Sequence, residues 1–287
     1  MKRTLFIIIS CLALLLSSVL VYQASEYSRK FQRYKLAYTS ELNFESSLLD
    51  VQDYINRNEW QSTQIKSKET WKKAYRAKHI SINYCLGLGG LLASYFLFFG
   101  SLFKIKKLTL SQLGFVILNC SLICLSTGIL LPFIELGAFM KDLNIDLGIG
   151  IAKTFEGKVY FFYQSKTVIE LVKTLFTNGN WVVGLSIFLF SVVFPFAKLI
   201  LFYTFLLSQK NSQKNQLLKI AAYIGKYSMA DIFVAASFLA FLSFNNINVG
   251  IQTESSTLPG LYFFLAYCVI SIGTYFVIKK SKLVNLG

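Results

Sequence analysis

Apolar runs long enough to cross a bilayer recur six times along this chain. They are TLFIIISCLALLLSSVLVY (4–22), ISINYCLGLGGLLASYFLFFGSLF (80–103), LTLSQLGFVILNCSLICLSTGILLPFI (108–134), WVVGLSIFLFSVVFPFAKLILFYTFLL (181–207), about 220–243, and LPGLYFFLAYCVISIGTYFVI (258–278). Crossing the hydrocarbon core takes about 20 such residues. With 54% hydrophobic residues, 27 Phe and only three Pro in 287, the chain is not an ordinary soluble domain. The sequence predicts an all-α integral membrane protein with six transmembrane helices.

A net charge of +15 would suggest nucleic acid as the partner of a soluble protein, but its placement here speaks of topology and excludes that partner. With the N-terminus in the cytoplasm, the cytoplasmic pieces are 1–3, 104–107, 208–219 and the tail from 279. Together they hold eleven Lys or Arg and no Asp or Glu. Loop 136–180 is balanced, and 244–257 carries only Glu254. This positive-inside pattern places both termini in the cytoplasm. The 23–79 segment also holds eleven basic residues, against seven acidic ones, and long loops cross with weak regard to charge. The first run reads as an uncleaved anchor, because it is long and YQASEYS is a poor cleavage site.

Several chemistries lack their residues. Cys11, Cys85, Cys120, Cys124 and Cys268 all lie in apolar runs, none in a C-x-x-C pair, so no zinc ribbon is expected. His79 is the sole histidine, which removes a His-based triad and an H-E-x-x-H site. No glycine-rich phosphate loop is present. GLGG at 87–90 reads as a place of close helix packing. The expectation is a protein that is not an enzyme and uses no cofactor.

Two units follow. Residues 1–107 comprise an anchor helix, a polar segment with helical spacing, and a second membrane helix. Trp60, Trp71 and Tyr75 mark the return to the headgroup layer, and the segment is expected to dock on the membrane or on a partner. Residues 108–279 comprise four membrane helices and one structured loop. There LNIDLGIGIAKTF alternates, with Leu143, Ile145, Leu147, Ile149 and Ile151 on one face, and EGK turns the chain into VYFFYQ, a β-hairpin pattern. SKTVIELVKTLF then reads as a short amphipathic helix capped by Ser165. The loop is therefore a small folded cap.

LLPFIEL (130–136), SIFLFSVVFPFAKLI (186–200), GKYSMADIFV (225–234) and the PG-to-Ser stretch of the last helix resemble the paraquat-inducible protein A family (PqiA, LetA). The resemblance covers about 108–279, and FP-x-x-K-L followed by G-[KR]-[WY]-S-M-x-D is its specific part. It implies an inner-membrane protein of Gram-negative envelopes that moves phospholipid between the inner membrane and a periplasmic MCE-domain partner. It also implies a claudin- or tetraspanin-like module of four helices with a periplasmic β-cap. Two features depart from the family: this chain has one module where members have two in tandem, and it lacks their cytoplasmic zinc ribbons.

Charged residues inside a membrane helix cost a few kcal/mol each and usually face a bundle interior or a wet cavity. Lys198 lies about nine residues from the cytoplasmic end of the fourth helix, and Asp231 about eleven from the start of the fifth. Both are then roughly 13–17 Å deep, and a pair is natural between antiparallel neighbours. Ser228 shares the face of Asp231, Lys226 is shallow enough to snorkel, and Ser271 offers another hydroxyl. These five residues are the candidate headgroup path. Pro132, Pro195, Pro259 and Gly225 are its structural supports, Pro195 as a bend that opens a polar pocket. The bland alternative is a buried ion pair that only fixes helix register. At the level of function, a lipid-transport subunit stands against a non-transporting membrane scaffold. Assembly as a homo-oligomer is left open.

Overall fold

The computed structural model describes residues 3–42, 57–105, 108–146, 152–208 and 252–284, with 216, 217, 219, 220 and 236 between them. Two helices open the chain, α1 (Arg3–Glu41, 39 residues) and α2 (Arg57–Lys104, 48 residues). At 1.5 Å per residue they run about 58 and 72 Å, roughly twice the thickness of a hydrocarbon core. Each is one continuous helix that leaves the membrane without a break.

They hold together through a seven-residue repeat. Along α1, Ser10, Ser17, Ala24 and Phe31 are buried at intervals of seven, and so are Val21, Ser28, Lys35 and Leu42. Along α2, Ser67, Ala74, Ser81, Leu88 and Tyr95 repeat likewise, joined by Cys85, Leu92 and Phe99. A strict heptad keeps one seam facing its neighbour and winds two helices into a coiled coil. Antiparallel pairing is fixed by Phe6 against Phe99 (ring centroids 5.3 Å apart) and Tyr27 stacked on Tyr84 (5.8 Å). Small seam residues let the backbones close in, so Ser81 Oγ donates to the Ala24 carbonyl at 3.0 Å. The GLGG expectation is corrected here. A Cβ on Gly87, Gly89 or Gly90 would meet nothing within 4 Å, because the heptad phase turns Leu88 to the seam and the glycines away from it.

Helix α3 (Leu110–Leu130) is the centre of the remainder, with 72% of its apolar window buried against 22% for the other three long apolar helices. Thr109 caps it in a reciprocal box with Gln112. Then come β1 (Ile134–Asp146), β2 (Ala152–Lys166), α4 (Val168–Thr177), α5 (Trp181–Leu207, interrupted by a π-helical turn at Leu189–Val193), β3 (Gln252–Thr257) and α6 (Pro259–Val284). The sheet is antiparallel in the order β2-β1-β3.

Helix and sheet are spliced at one joint. The Leu258 N–H donates to the Phe133 carbonyl at 2.9 Å and the Gly260 N–H to the Pro132 carbonyl at 3.2 Å. The ladder continues from there, with Ile134 opposite Thr257. Pro132 and Pro259 thus stand at the crossing of α3 and α6. Gly260 admits no side chain, since a Cβ would lie 2.4 Å from the Leu131 carbonyl oxygen. The two proline stretches quoted above are therefore one structural element.

Among the described residues four helices are long and apolar enough to span a membrane, Thr4–Glu41, Ile65–Lys104, Leu110–Leu130 and Trp181–Leu207, and Pro259–Thr274 is a shorter apolar stretch. The expected span at 220–243 lies outside the described residues. The cap holds a three-stranded sheet. Its hairpin does not turn at EGK: β2 continues through it with a register shift between the Lys141–Lys158 and Leu143–Phe155 pairs, and pairing extends to Asp146 opposite Ala152. The face expected at Leu147, Ile149 and Ile151 lies outside the described residues. Pairing of β1 on both edges extends it back to Ile134, which moves the hairpin upstream. Ser165 stays in β2 opposite Glu135, so α4 is capped by Thr167 in a box with Glu170.

The 23–79 segment needs the largest correction. Its described part is coiled coil, and it docks on the chain's own cap. Tyr160 N–H donates to the Leu42 carbonyl at 3.0 Å, and Leu42, Phe139, Val159 and Tyr160 form a core with Tyr38. Trp71 lies against Tyr38 with centroids 5.0 Å apart, about nine residues short of the apolar run, rather than at its edge. Trp60's side chain lies outside the described set.

Candidate functional site

Two buried polar clusters mark the ends of the molecule. At the cap end, all the converging elements meet on the carboxylate of Glu135, the acidic residue of LLPFIEL. Lys78 Nζ of α2 lies 3.2 Å from Oε2 and Lys35 Nζ of α1 3.6 Å from Oε1. Tyr163 of β2 donates to Oε1 at 3.3 Å and Ser256 of β3 to Oε2 at 3.0 Å. Lys35 is only 3% exposed, with its ammonium 4.1 Å above the Trp71 ring and within 6 Å of Tyr38, Tyr160 and Tyr163. Burial lowers the Lys35 pKa, against the pull of Glu135 in the other direction. Burial, with the adjoining Glu135 charge, pushes the Tyr163 phenol well up. Two lysines and one glutamate leave this hub with an excess positive charge.

At the opposite end, a chain of neutral polar contacts runs through the apolar layer. Tyr203 of α5 donates to Asn119 Oδ1 of α3 at 2.6 Å, Asn119 Nδ2 lies 3.4 Å from the Tyr95 hydroxyl of α2, and Tyr95 donates to Ser10 Oγ of α1 at 3.0 Å. Four helices are tied by one chain of hydrogen bonds. Beside it opens a cavity of about 740 Å³ between α1, α3 and α5. Phe6, Ile7, Leu14, Phe115, Leu206 and Leu207 supply apolar walls, while Ser10, Thr109, Ser111, Gln112, Asn119 and Ser208 supply polar ones. That size and mixture suit a ligand that is mostly hydrocarbon with a few polar atoms.

Lys198 lies on α5, half-buried, at the edge of a face formed by Ser191, Pro195, Leu199 and Phe202. Its ammonium is 5.9 Å from the Phe202 ring centroid. A π-helical turn precedes Pro195, where Phe194 N–H reaches back to the Leu189 carbonyl. Ser191 Oγ, in that turn, is buried and has no hydrogen-bond partner among the described residues. Ser271 is buried on α6. Gly225, Lys226, Ser228 and Asp231 lie outside the described residues, so the Lys198–Asp231 pairing does too. Of the expected site residues, the structure brings Pro132 and Pro259 together.

Sequence reasoning missed Glu135, Lys35, Lys78 and Asn119 as site residues. Three of them carried a signal: Glu135 directly follows a spanning run, Asn119 interrupts FVILNCSLI, and Lys35 falls on a heptad seam.

Helices of spanning length, capped at one end by a small sheet, define an integral membrane protein. Residues 155–283 match the PqiA family model, paraquat-inducible protein A, which shows the family resemblance for the segment from within β2 through most of α6. No curated protein and no solved structure matches the chain.

Proposed function

We propose that this protein is an inner-membrane subunit of an envelope lipid-transport system. It passes phospholipid between the inner membrane and a periplasmic MCE-type partner, with both termini cytoplasmic and the sheet on the periplasmic side. The observation that carries this reading is the cavity beside Asn119, an apolar space with a polar seam, open between helices and sized for part of a lipid. The PqiA match supports it independently. Lys198, Ser228, Asp231, Ser271 and Lys226 would form the headgroup path, with acyl chains kept against apolar helices. Its role is transfer, without catalysis or cofactor.

The scaffold alternative draws on a different observation, the long coiled coil docked on the cap, which gives a partner a rigid surface. Transfer of a fluorescent phospholipid from proteoliposomes to acceptor vesicles, with and without the MCE-type partner, separates the two. Transport predicts transfer that falls at least about tenfold in Lys198→Ala at unchanged protein level. Normal transfer by Lys198→Ala and Asp231→Asn together would reduce the pair to a helix staple, and no transfer by the native protein would leave the scaffold.

A further inference from the structure

A second cleft, of about 380 Å³, lies on the cap side between α1, β2 and α4. Arg29 and Arg33 of α1, Lys166 of β2 and Lys173 of α4 line it, with Glu170 as its one acid. Glu170 is already engaged. Its Oε2 accepts from the Thr167 N–H at 2.9 Å in the capping box and from Gln32 Nε2 at 3.4 Å. Among the described residues, none of the four cations has a carboxylate within 4.0 Å. Ser165 Oγ, also in the lining, is buried and has no hydrogen-bond partner among the described residues. A buried hydroxyl of that kind calls for an unseen partner. The cleft lining carries three net positive charges and an unsatisfied hydroxyl. Arg29 donates to Ser25 Oγ at 3.3 Å and Lys166 to Thr174 Oγ1 at 2.7 Å. Glu26, one turn before Arg29 and paired with Lys30, acts on both arginines from outside the lining.

Its height in the molecule narrows the partner. The first apolar run ends at Tyr22, so Arg29 and Arg33 stand about 10 and 16 Å beyond it along α1, on the water side of a headgroup layer about 5–8 Å thick. On α4 and the start of α5, Ile169 (51% exposed), Trp181 (66%) and Val182 (80%) present bare apolar surface at the same end, and tryptophan favours that interface. We propose that this cleft binds the phosphate of an anionic phospholipid headgroup, with the acyl chains lying along the exposed apolar surface below. The arginines offer planar donor forks suited to phosphate, and the lysines add charge. The inference rests on the lipid-handling reading and deepens it. Half of the site comes from α1, which lies outside the matched segment 155–283.

The test uses the full chain in nanodiscs of equal phosphatidylglycerol and phosphatidylcholine, with retained lipid counted by native mass spectrometry. The native protein is expected to retain phosphatidylglycerol selectively. The variant Arg29→Gln/Arg33→Gln/Lys173→Gln should lose that selectivity by about tenfold or more. Neutralising three exposed cations elsewhere on the coiled coil, Lys72→Gln/Lys73→Gln/Arg76→Gln, should leave it intact. A photoactivatable phosphatidylglycerol should label α1 and α4 of the native protein, which checks the site without a variant that must fold. Equal retention in all three proteins, or labelling elsewhere, overturns the proposal. Displacement of the lipid by millimolar inorganic phosphate overturns it in favour of a free-phosphate site. Selective retention without lipid transfer leaves this site standing while the transport reading fails, and transfer with no charge-dependent retention does the reverse.

Discussion

The hub at Glu135 and the network at Asn119 solve the same problem with different chemistry. Both join the N-terminal hairpin to the module. The cap-end hub gathers two lysine ammoniums and two hydroxyls on a single carboxylate. The membrane-end network uses two phenols, an amide and a hydroxyl, with no formal charge. The desolvation cost of an ion grows steeply as water recedes, whereas a neutral hydrogen bond needs little repayment. Charge is therefore spent where the cap gives the carboxylate four partners, and neutral groups serve where lipid surrounds the helices. The comparison also predicts unequal strength. Removing one partner of a buried ion cluster strands the others, while interhelical hydrogen bonds in membranes average well under 1 kcal/mol.

The largest effect should follow Glu135→Ala. It leaves Lys35 and Lys78 facing each other without a counter-charge, a loss of about 3–5 kcal/mol. Thermal unfolding in detergent should show the cap released from the coiled coil, with proteolysis of β2 at temperatures where the native protein resists. A loss under about 1 kcal/mol would mean that the hub is hydrated and that the contrast with the membrane network is one of composition only.

A smaller effect, with a pH signature, belongs to Lys35→Met. Glu135 keeps Lys78, Tyr163 and Ser256, and methionine suits the ring of aromatics around the lost ammonium. The expected change is within about 1 kcal/mol at neutral pH. The folded state lowers the Lys35 pKa, so between that value and the unfolded value of 10.5 the unfolded chain binds more protons and stability from this group rises with pH. Below the folded pKa its desolvation cost is fully present. Native protein should therefore gain on Lys35→Met as pH climbs toward 10.5, the raised phenols of Tyr38, Tyr160 and Tyr163 acting in both proteins alike. A pH-independent difference would mean that Lys35 keeps its proton in this range.

Much of this was legible in sequence where the signal was local. Spanning runs, the hairpin's existence and the amphipathic α4 all rest on periodicity or composition within a short window. The coiled coil was harder to see, because serine, alanine and lysine occupy seam positions where a heptad is usually read from leucine. Strand β3 was hidden for a different reason. QTESST carries no apolar alternation, and it is a strand because Leu258 and Gly260 bond back to the Phe133 and Pro132 carbonyls and lay it beside β1. The same holds for the hub: Glu135 is unremarkable until four elements, three of them distant in sequence, deliver their side chains to it. A charged pair between neighbouring membrane helices can be proposed from depth alone, as with Lys198 and Asp231, whose pairing lies outside the described residues. A cluster assembled by a sheet docking on a coiled coil cannot.

The smallest stability effect should come from Asn119→Leu, and it is the most informative about function. Leucine fills a similar volume, Tyr95 keeps its bond to Ser10, and Tyr203 alone loses its 2.6 Å acceptor. The cost should be about 0.6 kcal/mol, the usual scale for interhelical hydrogen bonds in lipid. Yet Asn119 also lines the 740 Å³ cavity, deeper along α3 than the other polar lining residues of that helix, Thr109, Ser111 and Gln112. If a lipid's ester or glycerol oxygens pass that point, an apolar wall removes their only deep polar contact among the described lining residues of α3. Transfer of fluorescent phospholipid should then fall several-fold while the melting temperature moves by a degree or two. Ser10→Ala, which breaks the far end of the same chain of hydrogen bonds, should reproduce the small stability change with a weaker effect on transfer. Equal, slight effects of both variants on transfer would assign the network to helix packing and leave the cavity without a polar role.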